Sequence, residues 1–315
     1  MKTKNNSHFI DVEERNKFFK DWTRKLEHQN NTWYKRVDVN TFLGKTVVWS
    51  INDLHDDVEA IVIFPGFRTS SLFWDMDNAL ACLKGRYKIY LVETNGQPNL
   101  SDGTTPEIRS EDYGTWALEV IEGLGLDKVT VAGASFGALV CLKLCIVAPE
   151  RVNKAILLNP GCLQPFSLTW KNIFYNMLPI LFPSKKNVDS FLDKAVLNGN
   201  AHNLSAEARG LMTDYEMFAL KRFRDNTQKP YAMSEEELSL VMTDIYLILG
   251  KNDILFPWKN SWKAAKRFLK TCKNKIAFPE IGHGIETTRQ GIEAIASIMD
   301  ENRKGNSQSL KPIMV

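Results

Sequence analysis

Residues 128–147 read KVTVAGASFGALVCLKLCIV. The opening Lys128-Val129-Thr130-Val131-Ala132 is a short β-branched run of the kind that forms a buried strand. From Ala138 to Val147 the side chains are small to medium, apolar and free of breakers, which reads as a helix. Between them Gly133-Ala134-Ser135-Phe136-Gly137 must turn sharply. At such a turn the serine hydroxyl projects from a strained backbone, and the flanking glycines let strand and helix pass closely. The helix N-terminus offers its dipole and free N–H groups to a developing anion. G-x-S-x-G between a strand and a helix is the pattern of a nucleophile elbow, so Ser135 is the candidate nucleophile.

Working outward, strands are expected at 33–39, 42–51, 60–64, 88–93 and 155–158, and helices at 72–84 and 111–124. Strands alternating with helices predict an α/β class, a mostly parallel sheet with helices on both faces. The alternation stops at 162. Up to about 235 the chain shows helical pieces rich in aromatics and Met, punctuated by Pro165, Pro179, Pro183 and Pro230. It resumes with a strand at 245–249, a helix at 258–269, a strand at 275–278 and a last helix at 287–301. The expected organisation is a core of 31–161 and 236–302 interrupted by a helical cap at 162–235. Residues 1–30 form an N-terminal amphipathic segment. Its apolar face, Val12, Phe18, Phe19, Trp22 and Leu26, fits a helix docked on the main domain; the sharper alternative is a surface element touching a membrane or partner. The polar tail, 303–315, is expected to be disordered.

Composition narrows the class. The 315 residues are 44% hydrophobic and 24% charged with net charge +3, ordinary for one globular domain carrying an insertion. This balance predicts no nucleic-acid partner. The densest cationic group, Lys263, Lys266, Arg267, Lys270, Lys273 and Lys275, reads as a solvated helix face followed by a strand edge. Cys82, Cys141, Cys145, Cys162 and Cys272 are odd in number and form no C-x-x-C pair, which favours a reducing, cytoplasmic setting. No signal peptide is expected, and no apolar run reaches the roughly 18 residues of a membrane span, so no stable membrane insertion is expected. His55-Asp56-Asp57 reads as a polar turn. No H-E-x-x-H, His/Cys cluster or P-loop occurs, and Gly123-Leu124-Gly125 lacks the third glycine of a dinucleotide loop, so neither metal nor cofactor is expected.

Two histidines follow Ser135. His202 lies in the helical insertion; His283 lies in Glu280-Ile281-Gly282-His283-Gly284, just after the last expected strand, where flanking glycines suit a mobile loop presenting an imidazole. A base near neutral pKa is what serine activation requires, so His283 is the candidate general base. The run Leu247-Ile248-Leu249-Gly250-Lys251-Asn252-Asp253 puts a carboxylate just past a strand's C-terminal end, where catalytic groups of open α/β sheets gather. Asp253 is the candidate for orienting His283, its alternative role being to cap the next helix; Asp244 precedes the strand, and Asn159 is no acid. Phe64-Pro65-Gly66-Phe67-Arg68 follows another strand. There the Phe67 backbone N–H can pair with that of Phe136 to form an oxyanion hole.

These four elements, in this order and spacing, resemble the α/β-hydrolase superfamily, in particular its capped bacterial esterases, C–C bond hydrolases and proline iminopeptidases. The resemblance covers about residues 33–302. It implies an eight-stranded, mostly parallel sheet flanked by helices, with a helical cap. Two departures stand out. Pro65-Gly66 replaces the His-Gly of many relatives, removing a side chain from the oxyanion loop. The stretch Glu93-Thr94-Asn95-Gly96-Gln97-Pro98-Asn99-Leu100-Ser101 departs from the Asp-x-x-Gly-x-Gly-x-Ser pattern.

The insertion offers Phe166, Leu168, Trp170, Phe174, Tyr175, Met177, Leu178, Phe182, Phe191, Met212, Tyr215, Met217, Phe218 and Phe223, some for an apolar pocket and the rest for the cap's own core. The expectation is a serine hydrolase, carboxylesterase-like, acting on an ester or related acyl bond of an apolar small-molecule substrate. C–C bond or amide hydrolysis, a lyase reaction, or a small-molecule receptor of the same fold remain open, as does a homo-oligomer.

Overall fold

A computed structural model describes residues 8–52, 58–224 and 231–307, with side chains through residue 301. His55-Asp56-Asp57 and Pro230 lie outside the described residues. Eight strands form one sheet: β1 (Lys35–Thr41), β2 (Gly44–Ile51), β3 (Ala60–Phe64), β4 (Lys88–Val92), β5 (Val129–Ala134), β6 (Val152–Leu158), β7 (Ile245–Gly250) and β8 (Cys272–Phe278). Their spatial order is β1-β2-β4-β3-β5-β6-β7-β8. β2 runs antiparallel to β1 and β4, and the other pairs are parallel. This is the α/β architecture of the sequence reading. Every residue of the central strands β3 and β5 is buried, as expected where helices cover both faces of a parallel sheet.

One face carries α2 (Asp112–Gly123), α3 (Phe136–Val147) and α8 (Trp258–Phe268) over an apolar layer that includes Phe64, Trp116, Val131 and Leu157. The other carries the segment Ser71–Cys82, α1 (Val12–Asn30) and α9 (Arg289–Ser307). Between β6 and β7 lie α4 (Trp170–Leu181), α5 (Lys185–Phe191), α6 (Ala206–Arg222) and the short α7 (Glu235–Ser239).

α1 begins where the Asp11 carboxylate accepts the N–H groups of Glu13 (2.8 Å) and Glu14 (3.0 Å). It ends where Asn31 takes the left-handed conformation. Phe19, Trp22 and Leu26 are buried, and the Trp22 indole N–H donates to the Leu211 carbonyl on α6 at 2.9 Å. The amphipathic segment is therefore docked, with its apolar face turned inward.

The structure departs from the sequence reading at two elements. The helix expected at 72–84 is broken: residues Asp75 to Asn78 have non-helical backbone, with Asp77 and Asn78 at φ 53° and 57°. The cause is Asp75. Its buried carboxylate accepts from Tyr34 Oη (2.6 Å), Leu80 N–H (3.0 Å) and Lys84 Nζ (2.6 Å), which folds the chain around it instead of into i→i−4 pairs. The last helix runs on to Ser307, through Gly305; of the polar tail, 308–315 lies outside the described residues. No described helix is long and apolar enough to cross a membrane.

Because Trp22 is both an apolar plug and a satisfied donor, Trp22→Ala is expected to cost about 3–5 kcal/mol of unfolding free energy, read by urea denaturation. A cost below about 1 kcal/mol would mean that α1 lies outside the cooperative core.

Candidate active site

The elbow is built by close approach. A Cβ on Gly133 would fall 2.3 Å from the backbone of Gly137, and one on Gly137 would fall 2.1 Å from the Phe64 carbonyl oxygen. Only glycine at both positions lets α3 lie this close to β5 and β3. Between them Ser135 adopts φ 52°, ψ −108°. That backbone costs a non-glycine residue on the order of 1–3 kcal/mol. It is held by Ser135 N–H to the Leu158 carbonyl (2.9 Å) and Gly161 N–H to the Ser135 carbonyl (3.1 Å).

The oxyanion loop faces this turn. A Cβ on Gly66 would lie 3.7 Å from Ser135 Cβ, and the Phe67 and Phe136 rings meet edge to face at 6.0 Å. Among the described residues the amides of Phe67 and Phe136 donate to no protein acceptor, whereas those of Arg68 and Ser135 do. Arg68 N–H donates to Gln97 Oε1 at 2.8 Å, and Ser135 N–H is engaged as above.

Asp253 and His283 come together as a buried pair, His283 Nδ1 to Asp253 Oδ2 at 2.8 Å. The other carboxylate oxygen accepts the N–H groups of Leu255 (2.8 Å) and Phe256 (3.0 Å). Asp253 thus closes its own turn, and α8 starts later, at Trp258, without a side-chain cap. Burial by itself would disfavour the imidazolium, but the Asp253 charge and hydrogen bond outweigh it and raise the His283 pKa above 6.5. Glu286 is also buried here with one oxygen unpartnered; burial raises its carboxyl to about 7 against the pull of His283. The Phe256 ring lies 5.5 Å from the imidazole, and a Cβ on Gly161 would touch both that ring (3.1 Å) and Ser135 Oγ (3.4 Å). Ser135 and His283 therefore both lie beside the Phe256 ring. Among the described residues Ser135 Oγ makes no hydrogen bond to His283, whose Nδ1 is held by Asp253. Asp244 is remote, paired with Lys273 at the start of β7 (3.2 Å).

The loop carrying His283 is tied down, contrary to the mobility expected from its glycines. Gly282 has no room for a Cβ, which would sit 2.6 Å from Asn198 N, and Gly284 N–H donates to the Val196 carbonyl (2.9 Å). Two residues that sequence reasoning set aside hold it. Asn159 Nδ2 donates to the carbonyls of Gly282 and His283, both at 2.9 Å, while Asn159 Oδ1 accepts Gly250 N–H at 2.8 Å. One buried amide therefore joins the β6 end to the β7 turn and to the histidine loop. His202 Nε2 accepts Gly282 N–H at 2.8 Å, so His202 braces the loop from the insertion between β6 and β7. Gln97, which anchors the oxyanion loop, was also missed; the signal available for all three was only a polar residue beside a strand end or loop.

Of the apolar residues of the 162–235 insertion, Tyr215 and Met212 pack in the layer with α1 and the 71–82 segment. Leu168, Trp170, Phe174 and Phe182 face solvent. Phe166 reaches toward the site, edge to face with Phe256 at 5.8 Å.

Burial lowers the His202 imidazole to about 4. The unfolded chain binds this proton more readily, so the bond to Gly282 contributes stability that is intact above pH 6.5 and lost as pH falls toward about 4. The stability advantage of wild type over His202→Gln is expected to shrink across that window in denaturation at a series of pH values. An advantage independent of pH would contradict the assignment.

A family model described as alpha/beta hydrolase fold matches residues 59–184. The chain is 25% identical over 243 residues to an uncharacterized carboxylesterase, nap, of Bacillus subtilis (strain 168), covering 77% of this chain and 78% of that one. It is 21% identical over 230 residues to carboxylesterase YbfK of the same organism, covering 72% and 74%. The crystal structure of naproxen esterase (carboxylesterase NP) from Bacillus subtilis superposes with a TM-score of 0.72 at 20% identity, over 93% of this chain and 99% of that one. The chain has the α/β-hydrolase fold and is a carboxylesterase-like hydrolase.

Proposed function

We propose that this hydrolase cleaves an ester or related acyl bond of an apolar small molecule through an acyl-enzyme at Ser135. The observation that carries the reading is the buried 2.8 Å Asp253–His283 pair, set beside the same Phe256 ring as the strained Ser135. Asp253 fixes the imidazole through Nδ1, leaving Nε2 to take the Ser135 proton as Oγ attacks the substrate carbonyl. The unengaged amides of Phe67 and Phe136 receive the oxyanion; one such donor is worth on the order of 2.7–4 kcal/mol of barrier. His283 then returns the proton to the leaving alkoxide, and a water activated by the same imidazole releases the acid. No metal or cofactor takes part.

Phe67, Phe166 and Phe256 support an apolar acyl or aryl group beside the reacting carbonyl. The carboxylesterase names of the relatives point the same way. In this reading 31–161 and 236–302 are the catalytic core and 162–235 is the cap. The five free cysteines, three of them buried, fit a reducing, cytoplasmic setting.

With p-nitrophenyl butyrate, wild type is expected to release a stoichiometric burst of nitrophenolate followed by slower turnover. Both should be absent in Ser135→Ala, with a fall in kcat on the order of 10⁴-fold or more. Equal rates in the two proteins would remove the acyl-enzyme.

A further inference from the structure

α4 is amphipathic the wrong way round for a helix in water. Its buried residues are Asn172 and Pro179, and Asn172 donates to the Ser167 carbonyl at 2.7 Å. Outward go Trp170 (78% exposed), Phe174, Ile180, Leu181 and, just past its end, Phe182 (66%), with Leu168 (77%) just before its start. A water-facing helix ordinarily presents the reverse, and an apolar surface this continuous marks an interaction site.

The stretches of chain that form it are one-signed, the adjacent acids being Glu235, Glu236 and Glu237 on α7. Residues 151–188 contain no Asp or Glu, and Lys171, Lys185 and Lys186 rim the apolar ridge. α8 and the strand after it continue the pattern: 258–275 holds Lys259, Lys263, Lys266, Arg267, Lys270, Lys273 and Lys275 without an acid. Lys273 pairs with Asp244, but Lys263, Lys266 and Arg267 make no ion pair among the described residues. A groove of about 460 Å³ lies between α8 and the loop that leads into α4, walled by Gln164, Pro165 and Ser167 on one side and Asn260, Lys263 and Arg267 on the other. From this face Phe166 leads to Phe256, and Phe256 to His283.

We propose that α4 and α8 form a peripheral docking surface for a lipid bilayer bearing anionic headgroups. The exposed aromatic and aliphatic side chains of α4 enter the headgroup–acyl boundary, and the lysines and arginine of α8 and the groove meet the headgroups. The chemistry selects this occupant. A second copy of the chain on the same two-fold face would set the lysines beside α4 and on α8 against their own copies. A nucleic acid would match the cations but leave the aliphatic ridge in water. Docking is peripheral, since no described helix can span a bilayer. It also holds the site mouth where apolar esters partition.

The test is flotation of the full chain with vesicles of phosphatidylcholine alone or of equimolar phosphatidylcholine and phosphatidylglycerol, a readout that needs no turnover and stands apart from the chemistry at Ser135. Binding to the mixed vesicles is expected to be at least about tenfold tighter than to the neutral ones and to weaken with added salt. Trp170→Ser with Phe174→Ser, and separately Lys263→Glu with Arg267→Glu, should each lose about tenfold or more while keeping the wild-type melting temperature; all four side chains are exposed. Failure of wild type to float with the mixed vesicles would overturn the proposal, as would undiminished binding by both variants. So would sedimentation showing a wild-type dimer that Trp170→Ser with Phe174→Ser dissociates, or vesicle binding abolished by a short RNA duplex that the chain binds more tightly.

Discussion

The contact on which the site depends is backbone against backbone, where Gly137 at the start of α3 meets the Phe64 carbonyl at the end of β3 with no space for a Cβ. This packing leaves the chain one way to pass from β5 into α3, through a residue with positive φ, and Ser135 occupies that place. It also fixes what surrounds the hydroxyl. The first amide of α3, on Phe136, has no partner within its own helix, and the Pro65-Gly66-Phe67 loop emerging from β3 stands beside it. The strained serine and the unengaged amides beside it are thus consequences of one helix–strand approach.

A strained residue and two unengaged amides persist only if the surroundings over-determine them. That support comes from side chains outside the reacting set. Asn159 holds the β7 turn and the histidine loop together, and Gln97 fixes the amide next to Phe67. His202 holds Gly282 from the insertion between β6 and β7, with its imidazole kept neutral by burial. The Asp253–His283 pair is consequently presented by a braced loop, so little ordering remains to be done when substrate arrives.

What the sequence made legible was local. Ser135 shows itself because strand, glycines and helix lie within twenty consecutive residues, and Asp253 and His283 because each directly follows a strand. The α/β class followed from the same periodicity. What stayed hidden depends on contacts between distant segments. Asn159 reaches residues 91 and 124 positions away, and nothing near Asn159 announces either partner. The break at Asp75 is imposed by Tyr34, 41 positions earlier, and overrides a helical pattern. The glycines beside His283 suggested mobility because composition cannot distinguish a glycine kept for freedom from one kept for lack of room. The outward face of α4 was unreadable for a related reason: periodicity gives the stripe but not the side that is covered.

The central claim, that Ser135 is a nucleophile activated by His283, is tested most directly by labelling the intact protein with a fluorophosphonate and measuring its mass and modified peptide. One adduct per chain is predicted, on the peptide containing Ser135, with labelling slowed by at least about a hundredfold in His283→Asn. An adduct on another residue, or labelling of Ser135 at an unchanged rate in His283→Asn, would contradict the account.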